Sequence, residues 1–172
     1  MGPARKKMGK KTIFNLIGPL SSPAQVKRQV VGVFDRKWMK PFAEALKENN
    51  VVHAYIVNSE DGMDEISPFA KTNIIELKDG NIDQFIVDPK KLGLSSTNIE
   101  NLKGKNAEYN ANKIIEIYKG KTNEFSEAVA LNTAAGLIVS GKENDFKIAF
   151  DKASKQLSSG NTFEHLIKIQ SI

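Results

Sequence analysis

The sequence predicts an α/β fold, with a sheet that contains a βαβ unit and C-terminal helices that cover the sheet. Two observations predict it. Short runs rich in β-branched and aromatic residues occur between residues 29 and 87, whereas apolar residues at helical spacing dominate after residue 98. Strands that come early and helices that come late are typical of a sheet covered by helices on its faces.

The first predicted elements form the βαβ unit. Residues 29–35 (QVVGVFD) are a short β-branched run closed by a charged residue, which indicates a buried strand. Residues 38–49 carry apolar side chains at helical spacing, with Pro41 in the first turn, where its missing donor costs little. Residues 51–58 (VVHAYIVN) then predict a second strand. The order implies parallel strands joined by a right-handed crossover.

A β-hairpin is predicted next. Residues 73–77 and 82–87 are strand-like and flank Asp79-Gly80, and an Asp-Gly pair between two such runs is a strong hairpin signal.

Residues 53 and 165 are the two histidines and offer no zinc spacing. We expect His53 to be a hydrogen-bonded histidine within its strand rather than a catalytic group.

Four helices are predicted after the hairpin. Apolar residues recur at helical spacing in residues 106–119, 124–140, 145–157 and 162–169. Gly141 follows the second of them and is a natural C-terminal cap.

Composition limits the class of protein. The chain has 172 residues, enough for one domain with a core, and no cysteine, which excludes disulfides, thiolate metal ligands and cysteine nucleophiles. That composition fits a cytoplasmic protein. No apolar run approaches the roughly 18 residues of a membrane span, so no membrane partner is expected.

The positive charge of the chain is confined to one end. The net charge is +5, and residues 1–11 contain five basic and no acidic side chains, so the remaining 161 residues are neutral. Such an arm could contact phosphates, but a solvated terminus is the more common arrangement. A domain-wide nucleic-acid surface is therefore not expected.

An acidic segment follows the second predicted strand. Residues 58–67 read NSEDGMDEIS and contain Asp61, Asp64 and Glu65, with Gly62 allowing a tight turn. In open α/β sheets, ligands bind at the carboxyl ends of strands. Adjacent Asp64 and Glu65 suit Mg²⁺, which takes one or two carboxylates together with phosphates and waters. A solvated acidic turn is the alternative.

The stretch from residue 12 to residue 24 (TIFNLIGPLSSPA) combines an apolar run with two prolines. Pro19 and Pro23 remove backbone donors, and residues before proline avoid the α region. We therefore expect a short buried element that turns sharply, with Gly18 and Ser22 outside any helix.

These motifs resemble the anthranilate phosphoribosyltransferase family. Residues 14–20 (FNLIGPL) are similar to its F-N-x-x-G-P-L motif, and residues 61–65 (DGMDE) to its D-G-x-D-E motif. Arg5 begins a segment similar to R-x-x-L-G-x-x-T-x-F-N. Residues 131–135 (LNTAA) are similar to its L-N-A-A motif, for which we expect a helix-packing role. The motifs occur in the family's order along nearly the whole chain.

The resemblance implies a glycosyltransferase/nucleoside phosphorylase-like α/β domain that transfers the phosphoribosyl group of phosphoribosyl pyrophosphate to anthranilate, in tryptophan biosynthesis. It implies Mg²⁺ held by Asp64 and Glu65 on the pyrophosphate. It also implies that Arg5 lies near the anthranilate carboxylate and that Gly18 lets the backbone approach the aromatic ring. No protein nucleophile is implied, because positioning and charge stabilisation carry such a reaction.

The resemblance covers only the C-terminal half of the family's catalytic domain. The family's N-terminal helical domain, its G-T-G-G-D phosphate loop and its K-H-G-N-type segment have no counterpart in this sequence. We therefore expect residues 1–172 to be one incomplete α/β domain with little or no transferase activity alone. Self-association or a companion chain would cover the rest of the sheet.

Two alternatives remain open. One is that the chain is a relative of the pyrimidine nucleoside phosphorylases. The resemblance implies that these enzymes share the fold but lack the carboxylate pair. The other is a non-catalytic module that binds nucleic acid or a protein through the basic arm. The D-G-x-D-E and F-N-x-x-G-P-L motifs together favour the transferase.

Overall fold

A computed structural model describes residues 17–95 and 99–172. Within these residues the strands form a four-stranded sheet with the order β1-β2-β3-β4. The strands are β1 (Arg28–Gly32), β2 (His53–Ser59), β3 (Thr72–Lys78) and β4 (Asn81–Val87). The helices are α1 (Ile17–Leu20), α2 (Met39–Glu48), α3 (Ala107–Tyr118), α4 (Glu124–Val139), α5 (Phe146–Ser158) and α6 (Asn161–Gln170).

The βαβ unit is confirmed. Strands β1 and β2 pair in parallel, with Arg28 opposite His53, and α2 connects them. Asp35 accepts a hydrogen bond from the backbone N–H of Lys37 at 3.0 Å and so caps the short 3₁₀ turn that leads into α2. Strand β1 ends at Gly32 rather than at Asp35, although the Val33 N–H still donates to the carbonyl oxygen of Val57 at 3.0 Å. The chain bends at residues 34–35 to begin the crossover.

The β3–β4 hairpin is also confirmed. Lys78 pairs with Asn81 across the turn, and Asp79 and Gly80 have φ angles of +48° and +81°. Positive φ at both central residues is the pattern of a type I′ turn, whose twist matches that of the strands.

Both faces of the sheet are covered, as the α/β prediction requires. Successive strand residues point to opposite faces, so Ile56 packs with α2 whereas Val57 packs with α4 and α5. Every residue of β2 is consequently buried. Helix α4 is rich in small apolar residues and begins with a capping box between Asn123 and Ser126.

The segment around the first proline differs from expectation. Gly18 lies inside α1, so the prediction that it is not helical is wrong, and none of the α1 residues is buried. Residues 12–16 of the predicted buried element lie outside the described residues. Pro19 sits in the first turn, where its N–H would have no helical partner, and Gly18 has no Cβ to clash with the proline ring. The Ser21 hydroxyl donates to the carbonyl oxygen of Ile17 at 2.7 Å at the end of this turn. Ser22 lies outside any helix, as expected.

Candidate functional site

A cleft of about 820 Å³ opens at the carboxyl ends of β1 and β2, on the face of the sheet that α4 covers. One wall is apolar and comes mainly from the two strands and α4. The other wall is the loop of residues 61–66, which we call the acidic loop. The apolar lining includes Val30, Val57, Phe125, Ala128 and Val129, and the polar lining comprises Asp64, Glu65, Asn132 and Thr133.

The acidic loop begins with a tight turn. The N–H of Gly62 donates to the carbonyl oxygen of Ser59 at 3.1 Å, and the N–H of Ser59 donates to that of Met63 at 2.9 Å. Gly62 has a φ of +91°, which favours glycine. This turn carries the chain from the end of β2 back over the sheet edge, so that Asp64 and Glu65 reach the cleft.

The structure separates Asp61 from the other two acids of the segment. One carboxylate oxygen of Asp61 accepts from the Met63 N–H at 3.2 Å, and the other accepts from the Ser67 hydroxyl at 2.5 Å. Asp61 therefore uses its carboxylate to fold the loop. Asp64 and Glu65 are exposed and line the cleft. Within residues 17–95 and 99–172 their side chains make no hydrogen bond or ion pair, so these carboxylates are available to a ligand.

Gly32 is a site residue that the sequence analysis missed. A Cβ built at Gly32 would lie 1.6 Å from the carbonyl oxygen and 2.6 Å from the carbonyl carbon of Asp64. Only glycine at the end of β1 allows the acidic loop to pass this closely. A glycine inside a strand pattern indicates close backbone approach, so the signal was present in the sequence.

Asn132 is the second residue that the sequence analysis did not assign to the site. Its amide group, on α4, contacts the backbone of Ile66 at the end of the acidic loop. The L-N-A-A pattern predicted helix packing, and Leu131, Ala134 and Ala135 do pack in the core. The polar side chain among these small apolar residues was the available signal.

The donor groups of the cleft fit Mg²⁺ only together with a phosphate ligand. Among the residues that the structure describes, no cluster of three or more His, Cys, Asp or Glu side chains could hold a metal ion. Mg²⁺ commonly takes one or two carboxylates and fills its other positions with substrate phosphates and waters. The Asp64–Glu65 pair has the chemistry of that arrangement, not of an all-protein cage.

Of the two predicted aromatic-substrate residues, the structure describes only Gly18. Arg5 is outside the described residues. Gly18 lies in α1, where the carbonyl oxygen of Leu20 accepts from the Asn49 side-chain amide at 3.1 Å, just before β2 begins. That contact is at the amino-terminal end of β2, whereas the acidic loop is at its carboxyl end. The described residues therefore do not bring Gly18 together with Asp64 and Glu65.

His53 is a buried strand residue, as expected. It is 3% exposed, and its Nε2 lies 2.7 Å from a carboxylate oxygen of Glu76 on β3. Its ring meets the Tyr55 ring edge-on. Burial, together with the nearby charge of Glu76, raises the pKa of Tyr55 above its ordinary value. This polar cluster belongs to the interior of the sheet and not to the cleft.

The family of the chain follows from comparison with known proteins. Residues 1–163 match the family described as "Glycosyl transferase family, a/b domain". The chain therefore belongs to that family. In the part of the chain that the structure describes, no helix is both long and apolar enough to cross a membrane.

The curated relatives define the family branch more closely. An anthranilate phosphoribosyltransferase from Pelagibacter ubique is 55% identical over 172 residues, which is 100% of this chain and 52% of that protein. The enzyme of the same name from Parvibaculum lavamentivorans is 44% identical over 98% of this chain and 50% of its own length. The resemblance inferred from the motifs is confirmed. The chain spans about half the length of the curated relatives it matches.

Solved structures of anthranilate phosphoribosyltransferases show the same fold as this chain. The crystal structure of anthranilate phosphoribosyltransferase from Thermus thermophilus matches with a TM-score of 0.85 and 33% identity over 96% of this chain and 49% of that chain. A Saccharomyces cerevisiae anthranilate phosphoribosyltransferase in complex with phosphoribosyl pyrophosphate and Mg matches with a TM-score of 0.84 and 26% identity, over 99% of this chain and 51% of that chain. The predicted α/β fold of the family is thus confirmed.

Proposed function

We propose that this chain forms the metal- and diphosphate-binding half of an anthranilate phosphoribosyltransferase. The whole enzyme would transfer the phosphoribosyl group of phosphoribosyl pyrophosphate to anthranilate, a step of tryptophan biosynthesis. One observation carries the proposal: the adjacent carboxylates of Asp64 and Glu65 project into the cleft from a loop folded by its own hydrogen bonds.

Asp64 and Glu65 would hold Mg²⁺ on the pyrophosphate group. The ion, when bound, supplies positive charge that offsets the charge developing on the leaving pyrophosphate. Without a cation, the two carboxylates would repel a diphosphate, since like charges at close range disfavour binding. The proposal therefore requires that diphosphate binding depends on the divalent cation.

The remaining cleft residues would position the substrate. Val30, Val57, Phe125 and Val129 give one wall an apolar surface, which excludes water from the reacting groups. Arg5 and Gly18 remain the proposed anthranilate contacts, on the strength of the motif resemblance alone. The Saccharomyces cerevisiae relative, whose complex contains phosphoribosyl pyrophosphate and Mg, supports the proposed ligand pair.

We also propose that residues 1–172 are one α/β domain that forms part of a larger catalytic domain. β1 and β4 are the outer strands of the described sheet. The outer edge of a strand presents unpaired N–H and C=O groups, which accept a further strand from a companion segment or a second copy. A phosphate loop of the family's type is not in this sequence, so binding is the more direct assay of this chain than turnover.

Isothermal titration calorimetry with phosphoribosyl pyrophosphate, in Mg²⁺ and in EDTA, tests the proposed site. The wild-type chain is compared with the double variant Asp64→Asn/Glu65→Gln and with Asp83→Asn, which removes an exposed carboxylate on β4. We expect Mg²⁺-dependent binding that the double variant weakens by at least about tenfold and Asp83→Asn leaves unchanged.

Two results would contradict the proposed site. One is binding of equal strength in Mg²⁺ and in EDTA. The other is an unchanged dissociation constant in the double variant. Parallel titrations with a pyrimidine nucleoside distinguish the phosphorylase alternative, which would show nucleoside binding without a metal requirement.

A further inference from the structure

The Asn132 side chain joins α4 to the acidic loop by hydrogen bonds. The Ile66 N–H donates to the side-chain oxygen of Asn132 at 3.0 Å, and the Asn132 side-chain NH₂ donates to the Ile66 carbonyl oxygen at 3.1 Å. The same NH₂ donates to the carbonyl oxygen of Ala128, one turn earlier in α4, at 2.9 Å. This third bond fixes the orientation of the amide relative to its own helix.

The chemistry of these bonds selects an amide. Only Asn and Gln carry both a donor group and an acceptor oxygen on one planar end, so they can satisfy an N–H and a C=O of the same residue. An aspartate has no donor when ionised, and a lysine has no acceptor. Ile66 is fully buried, so its backbone polar groups need such partners.

Asp64 and Glu65 are held on both sides. The backbone of Asp64 lies against Gly32 at the end of β1, and the backbone of Ile66 is bound by Asn132 on α4. Glu65 is the residue between these two contacts. The backbone of the carboxylate pair is therefore fixed when the domain folds. A ligand that binds both carboxylates then has less conformational entropy to remove.

The same face of α4 also lines the cleft. Phe125, Ala128, Val129 and Asn132 recur at intervals of three and four residues, which places them on one side of the helix. Asn132 thus connects the apolar wall of the cleft to the wall that carries the carboxylates. A substitution of Asn132 therefore affects the backbone that carries Asp64 and Glu65 without altering either of their side chains.

We infer that Asn132 is a positioning residue, which sets the affinity of the Asp64–Glu65 pair for a divalent cation with a diphosphate by fixing the backbone of Ile66. The inference rests on the proposed function, in which this pair holds that ligand. Arg28 offers a matched control, because its guanidinium donates to the carbonyl oxygen of Val139 at 2.7 Å and so anchors the C-terminal end of α4, away from the acidic loop.

The test compares the wild-type chain with Asn132→Leu, Arg28→Met and Asp64→Asn. Hydrogen–deuterium exchange in EDTA reports on the amide of Ile66 and needs no ligand. Calorimetric titration with Mn²⁺ and inorganic pyrophosphate then reports the affinity of the carboxylate pair.

We expect Asn132→Leu to speed exchange at Ile66 and to raise the pyrophosphate dissociation constant, each by about tenfold. Arg28→Met should lower the melting temperature but change neither quantity by more than about twofold, because it loosens α4 away from the loop. Should Asn132→Leu fail to fold, Asn132→Ala removes the same bonds with a smaller side chain.

The unfavourable outcomes are distinct. Unchanged exchange at Ile66 overturns the inference, as does faster exchange with an unchanged dissociation constant. In both cases the proposed function survives if Asp64→Asn still weakens binding. If Asp64→Asn binds as tightly as wild type, or if the wild-type chain binds no Mn²⁺-pyrophosphate, the proposed function fails and the inference fails with it.

Discussion

The acidic loop and the β3–β4 hairpin are held in place in different ways. The hairpin turn is fixed mainly by its own residues, since Lys78 and Asn81 pair directly across Asp79 and Gly80. The Asp79 N–H also donates to the carbonyl oxygen of Val52 at 2.9 Å, at the end of β2 away from the cleft. The acidic loop is folded by its own hydrogen bonds but is also held by Gly32 on β1 and by Asn132, which lies 66 residues beyond Ile66 in the chain. Substitutions in the hairpin should therefore remain local, whereas substitutions in distant elements should reach the candidate site.

The largest effect is expected for Gly32→Ala. The new Cβ would overlap backbone atoms of Asp64, which cannot rotate away, so the acidic loop or β1 must shift. We expect unfolding free energy to fall by about 3 kcal/mol and Mg²⁺-dependent binding to be lost. Urea unfolding followed by circular dichroism measures the stability, and calorimetry measures the binding.

The control for Gly32→Ala is Gly136→Ala, on α4. A Cβ built at Gly136 meets no atom of the described residues within 4 Å outside its own helix. Alanine there should stabilise the helix by about 0.5–1 kcal/mol and leave binding unchanged. Equal losses of unfolding free energy in the two variants would show that the close approach of the Asp64 backbone does not require glycine at position 32.

An intermediate effect is expected for Gly80→Ala in the hairpin turn. Gly80 has a φ of +81° but open space around it, so alanine is strained in its backbone without a steric clash. We expect a loss of about 1 kcal/mol in unfolding free energy. The dissociation constant at the cleft should change by no more than about twofold, because the hairpin turn lies away from the cleft. A tenfold loss of binding would break the contrast between the two regions.

The smallest effect at neutral pH is expected for Tyr55→Phe, inside the sheet. The pKa of Tyr55 is raised above its ordinary value of 10.0, by burial first and by the charge of Glu76 second. The folded state thus favours the protonated phenol. The stability this contributes is fully present below pH 10 and is lost as the pH rises further.

Denaturant unfolding midpoints measured from pH 7 to pH 11 test the predicted loss of stability on ionisation of Tyr55. Wild type should lose stability above pH 10 more steeply than Tyr55→Phe, whose side chain has no group to ionise. Parallel curves for the two proteins over the alkaline range would contradict the assignment of that loss to Tyr55.

The elements with local sequence signals were predictable from the sequence. The type I′ turn followed from Asp79-Gly80, and the βαβ unit followed from two β-branched runs around an amphipathic segment. The helices after residue 98 ended within a few residues of their predicted bounds. The exception was Gly18, because the absence of a Cβ and the position of Pro19 in a first turn outweigh the general bias against helix before proline.

The candidate site was predictable only in part. Asp64 and Glu65 were identified from their position after β2 and from the motif. The different role of Asp61 depends on the Ser67 hydroxyl, and those of Gly32 and Asn132 depend on contacts between residues distant in sequence. A periodic pattern reports which face of an element is buried, but it does not report which residue of another element that face meets.

The central claim, that Asp64 and Glu65 hold a divalent cation with diphosphate, is tested most directly by paramagnetic broadening. Substoichiometric Mn²⁺ with pyrophosphate is added to ¹⁵N-labelled protein, and amide signals are followed. Residues 61–66 and the facing residues 132–133 of α4 should broaden first, residues 79–80 of the hairpin turn should not, and Asp64→Asn should abolish the effect. Broadening centred on the hairpin, or broadening of the loop that persists in Asp64→Asn, would contradict the claim.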